Sequence, residues 1–394
     1  MIPVDDALRR LLSLVPPVQA EPLALAQAAG RVLWADAVAD RAQPPFAASA
    51  MDGYAIATQP MAGQTFDIIG TAQAGAGFSG RVGPGEAVRI FTGASVPQGA
   101  QWVVIQEDVT RDGARITISD TLGDGRNIRP AGADFSAGYR LTAPRRLRAA
   151  DLALLAAMNC ATLSVARKPV VALIATGDEL VQPGEPPGPN QIVASNIFAL
   201  KAMAEAEGAH VRLLPIARDT QAALTQVLAL ARGADVIVTI GGASVGDHDL
   251  VARVAEAEGM ELAFHKIAMR PGKPLLSGRL DGSILLGLPG NPVSAIICGH
   301  LFLVPLVRAL QGLPDPAPRP LRARLVCDLP ANGPRAHYMR AVLTGDDGLP
   351  MIDPFPDQDS GRLTPLAGAQ ALLIRPVSAP AATVGDVVDY LPLV

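Results

Sequence analysis

Near the start of the chain, apolar residues recur at helical spacing: Leu8, Leu11, Leu12 and Val15 share one face behind the acidic pair Asp5 and Asp6. Residues 1–42 read as helical, a helical N-terminal body, and this pattern predicts a first segment that Pro16 and Pro17 terminate. From Ala42 to Asn127 the period changes. Short β-like runs at Phe66–Ile69, Ala87–Phe91, Trp102–Gln106 and Arg115–Ile118 alternate with glycine-rich turns. A helical stretch at Ala149–Met158 and a strand-like run at Thr162–Ala166 follow.

Between Lys168 and Leu313 the two patterns alternate, at Pro169–Ala175, Ile197–Glu207, Val211–Ile216, Gln221–Ala231, Asp235–Ile240, Leu250–Glu258, Ser283–Leu286 and Val293–Gln311. Alternation of this kind predicts a parallel sheet covered by helices on both faces, with ligands at the carboxyl ends of its strands. Pro314–Pro320 then holds four prolines in seven residues and reads as a stiff linker. Leu321–Val394 has strand-like runs and no good helix, which predicts a small β-barrel or sandwich. The expected organisation is multi-domain α/β and β. Residues 1–42 plus 128–168 form an elongated helical and mixed body, 43–127 an inserted β module, 169–313 the central parallel-sheet α/β domain, and 314–394 a C-terminal small β-barrel.

The length of 394 residues supports several domains. A hydrophobic content of 49% and a mean hydropathy of +0.28 point to apolar surface hidden between domains or subunits, hence to an oligomer. The most apolar stretch, Ala295–Val307, contains His300 and Pro305 and falls short of the roughly 20 residues a bilayer span needs. It is expected to be a buried helix, and no membrane partner is expected. Acidic residues precede any apolar run at the N-terminus, which argues against a secretory signal and for a cytoplasmic protein. Cys160, Cys298 and Cys327 are widely spaced and odd in number, so they frame neither a disulfide network nor a zinc site. A net charge of −4 and 4% aromatic residues argue against nucleic acid.

Gly75, Gly77 and Gly80 spell a G-x-G-x-x-G, but no helix starts after them, so a turn is expected. Four other loops carry more chemistry. Thr176-Gly177-Asp178-Glu179 follows a buried strand and offers adjacent carboxylates suited to a hard cation, or else a helix cap and a solvated acid. Gly241-Gly242-Ala243-Ser244-Val245-Gly246 lets backbone N–H groups approach an anion before Asp247 and Asp249 begin a helix. Pro289-Gly290-Asn291-Pro292-Val293-Ser294 starts the longest apolar helix, whose unpaired N–H groups face the same crevice. Arg270-Pro271-Gly272-Lys273 sets two cations three residues apart in a stiffened segment, a suitable grip for an oxyanion. Together these loops suit phosphoanhydride chemistry assisted by a divalent ion. The five histidines, His210, His248, His265, His300 and His337, show no metal-ligand spacing.

These loops, with Ser49-Ala-Met-Asp-Gly-Tyr-Ala, Ile90-Phe-Thr-Gly-Ala, Arg129-Pro-Ala-Gly-Ala-Asp-Phe and Ser195-Asn196, resemble the molybdopterin molybdenumtransferase family, which includes the bacterial MoeA proteins and the E domain of gephyrin. The match runs nearly end to end, in family order. The resemblance implies a molybdopterin-binding-like α/β domain, an elongated homodimer, and an active site shared between subunits. It also implies the reaction, in which Mg2+ assists insertion of molybdate into adenylylated molybdopterin with release of AMP. Carried over by position, it implies that Glu179, Asp219 and Asp249 organise metal and pyrophosphate and that Asp52, Thr92 and Asp134 complete the cleft, Asp52 and Thr92 acting in trans. Arg270, Lys273 and Ser294 would hold molybdate, helped by Arg340 and Ser360. Ser195, Asn196 and the glycine loops, through Thr176, Gly177, Gly241, Gly242, Ser244, Gly246, Pro271, Gly272, Pro289, Gly290, Asn291 and Pro292, would bind the pterin or its phosphate.

Some positions depart from the family pattern. Arg270 stands where lysine is common, Asn159 where glycine is usual, Gln101 where aspartate is usual, and Gln370 inside an otherwise matching Ala-x-Ala segment. Two rival readings follow from the same resemblance: a molybdopterin adenylyltransferase, which the α/β domain alone resembles, and a non-catalytic scaffold or clustering module. The Asp52 and Thr92 arm argues against the first, and the acidic cleft against the second.

Overall fold

The computed structural model describes residues 1–242, 250–345 and 348–393. The chain divides into two compact units, one made of Met1–Glu21, Gly30–Trp34 and Val165–Val394, the other of Pro22–Ala29 and Ala35–Ser164. The expected β module and the 128–164 part of the expected body thus share one unit.

In that smaller unit a six-stranded sheet runs in the order Trp102–Ile105, Gly53–Ile56, Glu86–Ile90, Thr65–Ala72, Arg115–Ile118 and Val109–Asp112. The expected strands are present within three residues at each end, and alternation fills both faces. Tyr54, Ile56, Phe66 and Ile116 form one core, while Ala55, Val88, Ile90 and Val103 form the other. The glycine-rich 73–80 segment is a turn, closed by paired hydrogen bonds between Gln73 and Ala76, and not a dinucleotide loop. Asn159 has φ +64, a left-handed conformation that asparagine accepts more readily than most residues in a position where glycine is usual.

The larger unit contains the α/β sheet, ordered His210–Leu213, Val170–Ala175, Val236–Ile240, Ser283–Leu288, Leu276–Leu280 and Glu261–His265. The first four strands are parallel. The last two pair antiparallel, which the alternating pattern did not predict. The Asp281-Gly282 pair is the signal for that extension: both residues have positive φ, +47 and +80, and they close a two-residue hairpin between apolar runs. Side chains on the central strands alternate between two cores. Val171, Leu173, Val238 and Leu286 pack with the helices Asn196–Ala206 and Pro292–Leu310, while Ala172, Ile174, Ile237 and Leu285 pack with Gln221–Leu230 and Leu250–Ala257. Coverage of both faces explains why these strands read as unbroken apolar runs.

The helical character expected over residues 1–42 holds only for Val4–Leu12 and the short turn Leu25–Gln27, since Ala20–Ala24, Val32–Leu33 and Ala37–Val38 are strands, and the first helix also corrects the expected grouping. Val4, Ala7 and Leu11 belong to the α/β core, so this helix sits with the larger unit. Three apolar side chains on one face need cover, and the sheet and the Val304–Leu310 helix supply it. The Pro292–Leu310 helix has the length and apolarity of a membrane span, yet 78% of it is buried within the fold, consistent with the core helix expected there.

After the proline-rich segment, strands Leu321–Leu325, Ala336–Thr344, Met351–Pro354, Ala371–Arg375 and Val387–Pro392 form a closed barrel, closed by pairing between Ala336–Thr344 and Ala371–Arg375. A short helix, Leu363–Ala367, interrupts the all-β pattern expected there. Met269–Arg270 from the α/β domain adds to the barrel as a parallel edge, with Arg270 opposite His337. That pairing fixes the barrel against the loop ends of the α/β sheet.

Candidate active site

The carboxyl ends of Val170–Ala175, Val236–Ile240 and Ser283–Leu288 lie side by side, because these strands are adjacent and parallel. Their loops, with a turn from the barrel, enclose a cleft of about 780 Å³. It is lined by Thr176, Gly177, Glu179, Ser195, Asn196, Asp219, Gly241, Gly242, Arg270, Pro271, Gly272, Lys273, Pro289, Gly290, Asn291, Pro292, Ser294 and Ser360. Loops far apart in sequence therefore open onto one crevice, as the resemblance implies. Ser244, Gly246, Asp247, His248 and Asp249 lie outside the described residues.

On the acidic side, the backbone extends the sheet by one step. Thr176 N–H donates to the Ile240 carbonyl at 2.9 Å, and Gly177 N–H donates to that of Ala217 at 3.1 Å. Asp178 neither caps a helix nor lines the cleft; its carboxylate accepts the Asp219 N–H at 3.1 Å and so ties the two acidic loops together. Arg218 donates to the carbonyls of Asp178 and Leu180, at 2.9 and 3.2 Å, and clamps the same loop from outside. Glu179 and Asp219 are left facing the cleft. At Gly241, with φ +96, a Cβ would stand 2.7 Å from the Thr176 carbonyl oxygen, so only glycine lets the two loops approach this closely.

Asn196 joins the neighbouring loop, its side-chain amide donating to the Gly290 carbonyl at 2.8 Å. The N-terminus of the long helix is less open than its sequence suggests. Val293 N–H donates to the Ser360 carbonyl at 3.1 Å, and Asn291 donates to the Ser360 hydroxyl at 3.0 Å. Exposed Ile192 and Val193 line the cleft as apolar rim.

On the cationic side, the Lys273 carbonyl accepts two N–H groups, from Ile267 and Leu275, each at 3.0 Å, which pins the lysine's backbone. Arg335, a residue the sequence motifs did not flag, joins Arg270 and Lys273 in lining the cleft, as do Gln358 and Asp359. Among the described residues no ion pair engages these three cations, so their charge is available to an anion. His337 reports the local field: burial first, then Arg270, Arg335 and Arg340, push its pKa down to about 4.

Arg340 corrects an expectation. It is fully buried and does not line the cleft; its guanidinium donates to the carbonyls of Asp357, Asp359 and Arg362. A side chain with its donors used on backbone cannot also grip molybdate. Its neighbour on the chain, Arg335, holds the position facing the cleft. No local pattern separates the two arginines, because the choice depends on which end of the Ala336–Thr344 strand meets the α/β loops.

In the smaller unit, Asp52 and Thr92 meet: Asp52 Oδ1 accepts the Thr92 N–H at 2.7 Å and its hydroxyl at 2.8 Å. The N–H bond first, then the hydroxyl, hold the Asp52 carboxyl below the ordinary range, and Arg89 adds attraction. Arg89 itself is stacked on Tyr54 and Phe91. Asp134 is exposed on a separate turn of that unit, its N–H bonded to the Gln43 carbonyl.

Among the described residues, no group of three or more His, Cys, Asp or Glu is clustered to hold a metal. Magnesium commonly takes one or two carboxylates and completes its shell with water and substrate phosphate, so Glu179 and Asp219 fit that ion as a donor set.

Comparison with known proteins covers the whole chain. The family model for the MoeA N-terminal region (domain I and II) matches residues 2–159, that for a probable molybdopterin binding domain residues 172–309, and that for the MoeA C-terminal region (domain IV) residues 322–393. A molybdopterin molybdenumtransferase from Nostoc sp. is 35% identical over 95% of this chain and 90% of its own. One from Haemophilus influenzae is 36% identical over 79% of this chain and 78% of its own. The crystal structure of a molybdopterin biosynthesis MoeA protein from Pyrococcus horikoshii superposes with a TM-score of 0.82 at 26% identity, covering 100% of both chains. The loops, the cleft they share and these end-to-end similarities agree, and the chain belongs to the molybdopterin molybdenumtransferase family.

Proposed function

We propose that this protein inserts molybdate into adenylylated molybdopterin with release of AMP, in the cytoplasm, as a homodimer. The observation that carries the reading is the cleft with Glu179 and Asp219 on its acidic side and Arg270, Lys273 and Arg335 on its cationic side. A pterin joined to AMP carries a pyrophosphate, and molybdate is a dianion, so the substrate pair needs both kinds of contact within one crevice. The three cations hold molybdate, with Ser294 and Ser360 donating hydroxyl hydrogen bonds to its oxygens. Gly241, Gly242 and Gly290 let neighbouring loops pack closely around the phosphate's place in the cleft, and Ile192 and Val193 offer an apolar wall to the ring system.

Glu179 and Asp219 would hold Mg2+, whose charge offsets that of the pyrophosphate when the phosphoanhydride is cleaved. Arg270 is compatible with oxyanion binding in place of the commoner lysine, since its fork matches two oxygens at once. Asp52 and Thr92 are assigned to the same substrate from the second subunit. Support for that assignment is geometric: the Thr92 N–H and hydroxyl both bond to Asp52 Oδ1 and hold the carboxylate in one orientation for polar contact.

The test is AMP release by the purified protein given adenylylated molybdopterin, molybdate and Mg2+, with omission of each in turn. Molybdate-dependent AMP release is expected. Pyrophosphate formation from ATP and molybdopterin without AMP release would reassign the protein to the adenylylation step, and neither activity would leave a scaffold.

A further inference from the structure

The 357–362 turn of the barrel brings Gln358, Asp359 and Ser360 to the cleft; its own Asp357–Arg362 ion pair and Asp side chains tighten it locally, and one buried side chain gathers its inward carbonyls. Arg340 has 0% exposure. Its Nη1 donates to the Arg362 carbonyl at 2.8 Å, and its Nη2 donates to those of Asp357 and Asp359 at 3.0 Å each. Its backbone N–H donates to the Gln358 side-chain oxygen at 3.0 Å, while the Gln358 amide donates back to the Arg340 carbonyl at 3.0 Å. The turn's far side is tied to the α/β domain through Ser360, which accepts the N–H of Val293.

We propose that Arg340 is a positioning residue: its guanidinium gathers the carbonyls of the 357–362 turn and thereby holds Ser360 in the oxyanion wall. A turn whose carbonyls point inward carries an unmet acceptor at each, and a buried carbonyl without a donor is costly. A planar cation with five donors meets three carbonyls at once, whereas an ammonium of similar charge lacks the fork. The same strand reinforces the arrangement: Arg335 immediately precedes it, and its His337 pairs in register with Arg270. One strand therefore sets both the turn and two of the cations. Arg340 acts through the turn and touches no substrate.

The inference rests on the oxyanion reading of the cleft, so its test has two arms on the full-length protein. Molybdate binding is measured by equilibrium dialysis, and amide hydrogen exchange follows the 357–362 segment. In Arg340→Lys, molybdate affinity is expected to fall about tenfold, with kcat at saturating molybdate within about twofold of the parent. Exchange of the turn is expected to rise, while that of the Val170–Ala175 and Val236–Ile240 strands stays unchanged. Ser360→Ala, which removes a hydroxyl from the wall and leaves the clamp intact, is expected to weaken molybdate binding with the turn's exchange unaltered. Arg340→Gln, if it folds, is expected to exceed Arg340→Lys in both readouts. Parent-like protection of the turn in Arg340→Lys would overturn the proposal, as would parent-like molybdate affinity alongside a loosened turn. A parent protein that binds no molybdate refutes the oxyanion reading instead, and the exchange arm then decides by itself whether Arg340 holds the turn.

Discussion

His337 is buried opposite Arg270 in the barrel edge, and burial first, then Arg270, Arg335 and Arg340, disfavour its proton. Its pKa falls from an ordinary 6.5 to about 4 on folding. Between those values the unfolded chain holds a proton that the folded protein lacks, so acidification favours unfolding; above 6.5 the ring is neutral in both states and contributes nothing. Lowering the pH from about 7 to about 5 should cost about 2 kcal/mol through this group. His300, also lowered to about 4 by burial and by Arg308, acts in the same direction. His337→Asn is therefore expected to flatten part of the loss of urea stability across that range, with His300 supplying the remainder. An unchanged slope would exclude a lowered pKa at His337. At this scale the four α/β loops are legible because each contains a glycine or proline whose backbone need is local, whereas Asp219 is implied by the family resemblance alone, since Arg218-Asp219-Thr220 reads as an ordinary helix cap. Arg335 was not legible, and Arg340 was placed wrongly, because burial alone separates two arginines five positions apart.

Two glycines illustrate how elements fix the site. Gly272, in the cationic loop, has φ +111, and a Cβ there would lie 2.6 Å from the Cys298 sulfur of the long helix. Gly282, in the hairpin, has φ +80 and nothing within 4 Å. Gly282→Ala should cost about 1 kcal/mol, from backbone strain alone, and Gly272→Ala about 3 kcal/mol, since the loop must also move off the helix. Urea denaturation of the two variants checks this; equal losses would mean that the loop does not press on the helix. The alternating strand and helix pattern identified the parallel strands, since apolar runs of that length reflect burial on both faces. It overlooked Glu261–His265 and Leu276–Leu280, whose pairing follows from a two-residue turn and not from periodicity. The first helix was legible as a helix but not by partner, since an amphipathic face specifies only that something covers it.

At the scale of the molecule, the proposed dimer makes a prediction that neither unit makes alone. If Asp52 of one subunit serves the Glu179 cleft of the other, Asp52→Ala and Glu179→Ala proteins should each release little AMP. A mixture refolded or co-expressed as heterodimers should regain up to about half the parent activity, since one of its two sites is intact. Recovery absent from verified heterodimers would sink the shared-site reading.

The amino-acid order by itself determined the class of most segments, the loops that carry carboxylates, glycines and cations, and the family, because turn chemistry and burial period are written locally. Tertiary structure alone decided which charges share a cleft, which arginine faces it and which is buried beneath it, and which core covers the first helix. Those outcomes depend on strand order and register, which bring residues together across hundreds of positions and leave no periodic trace in the chain.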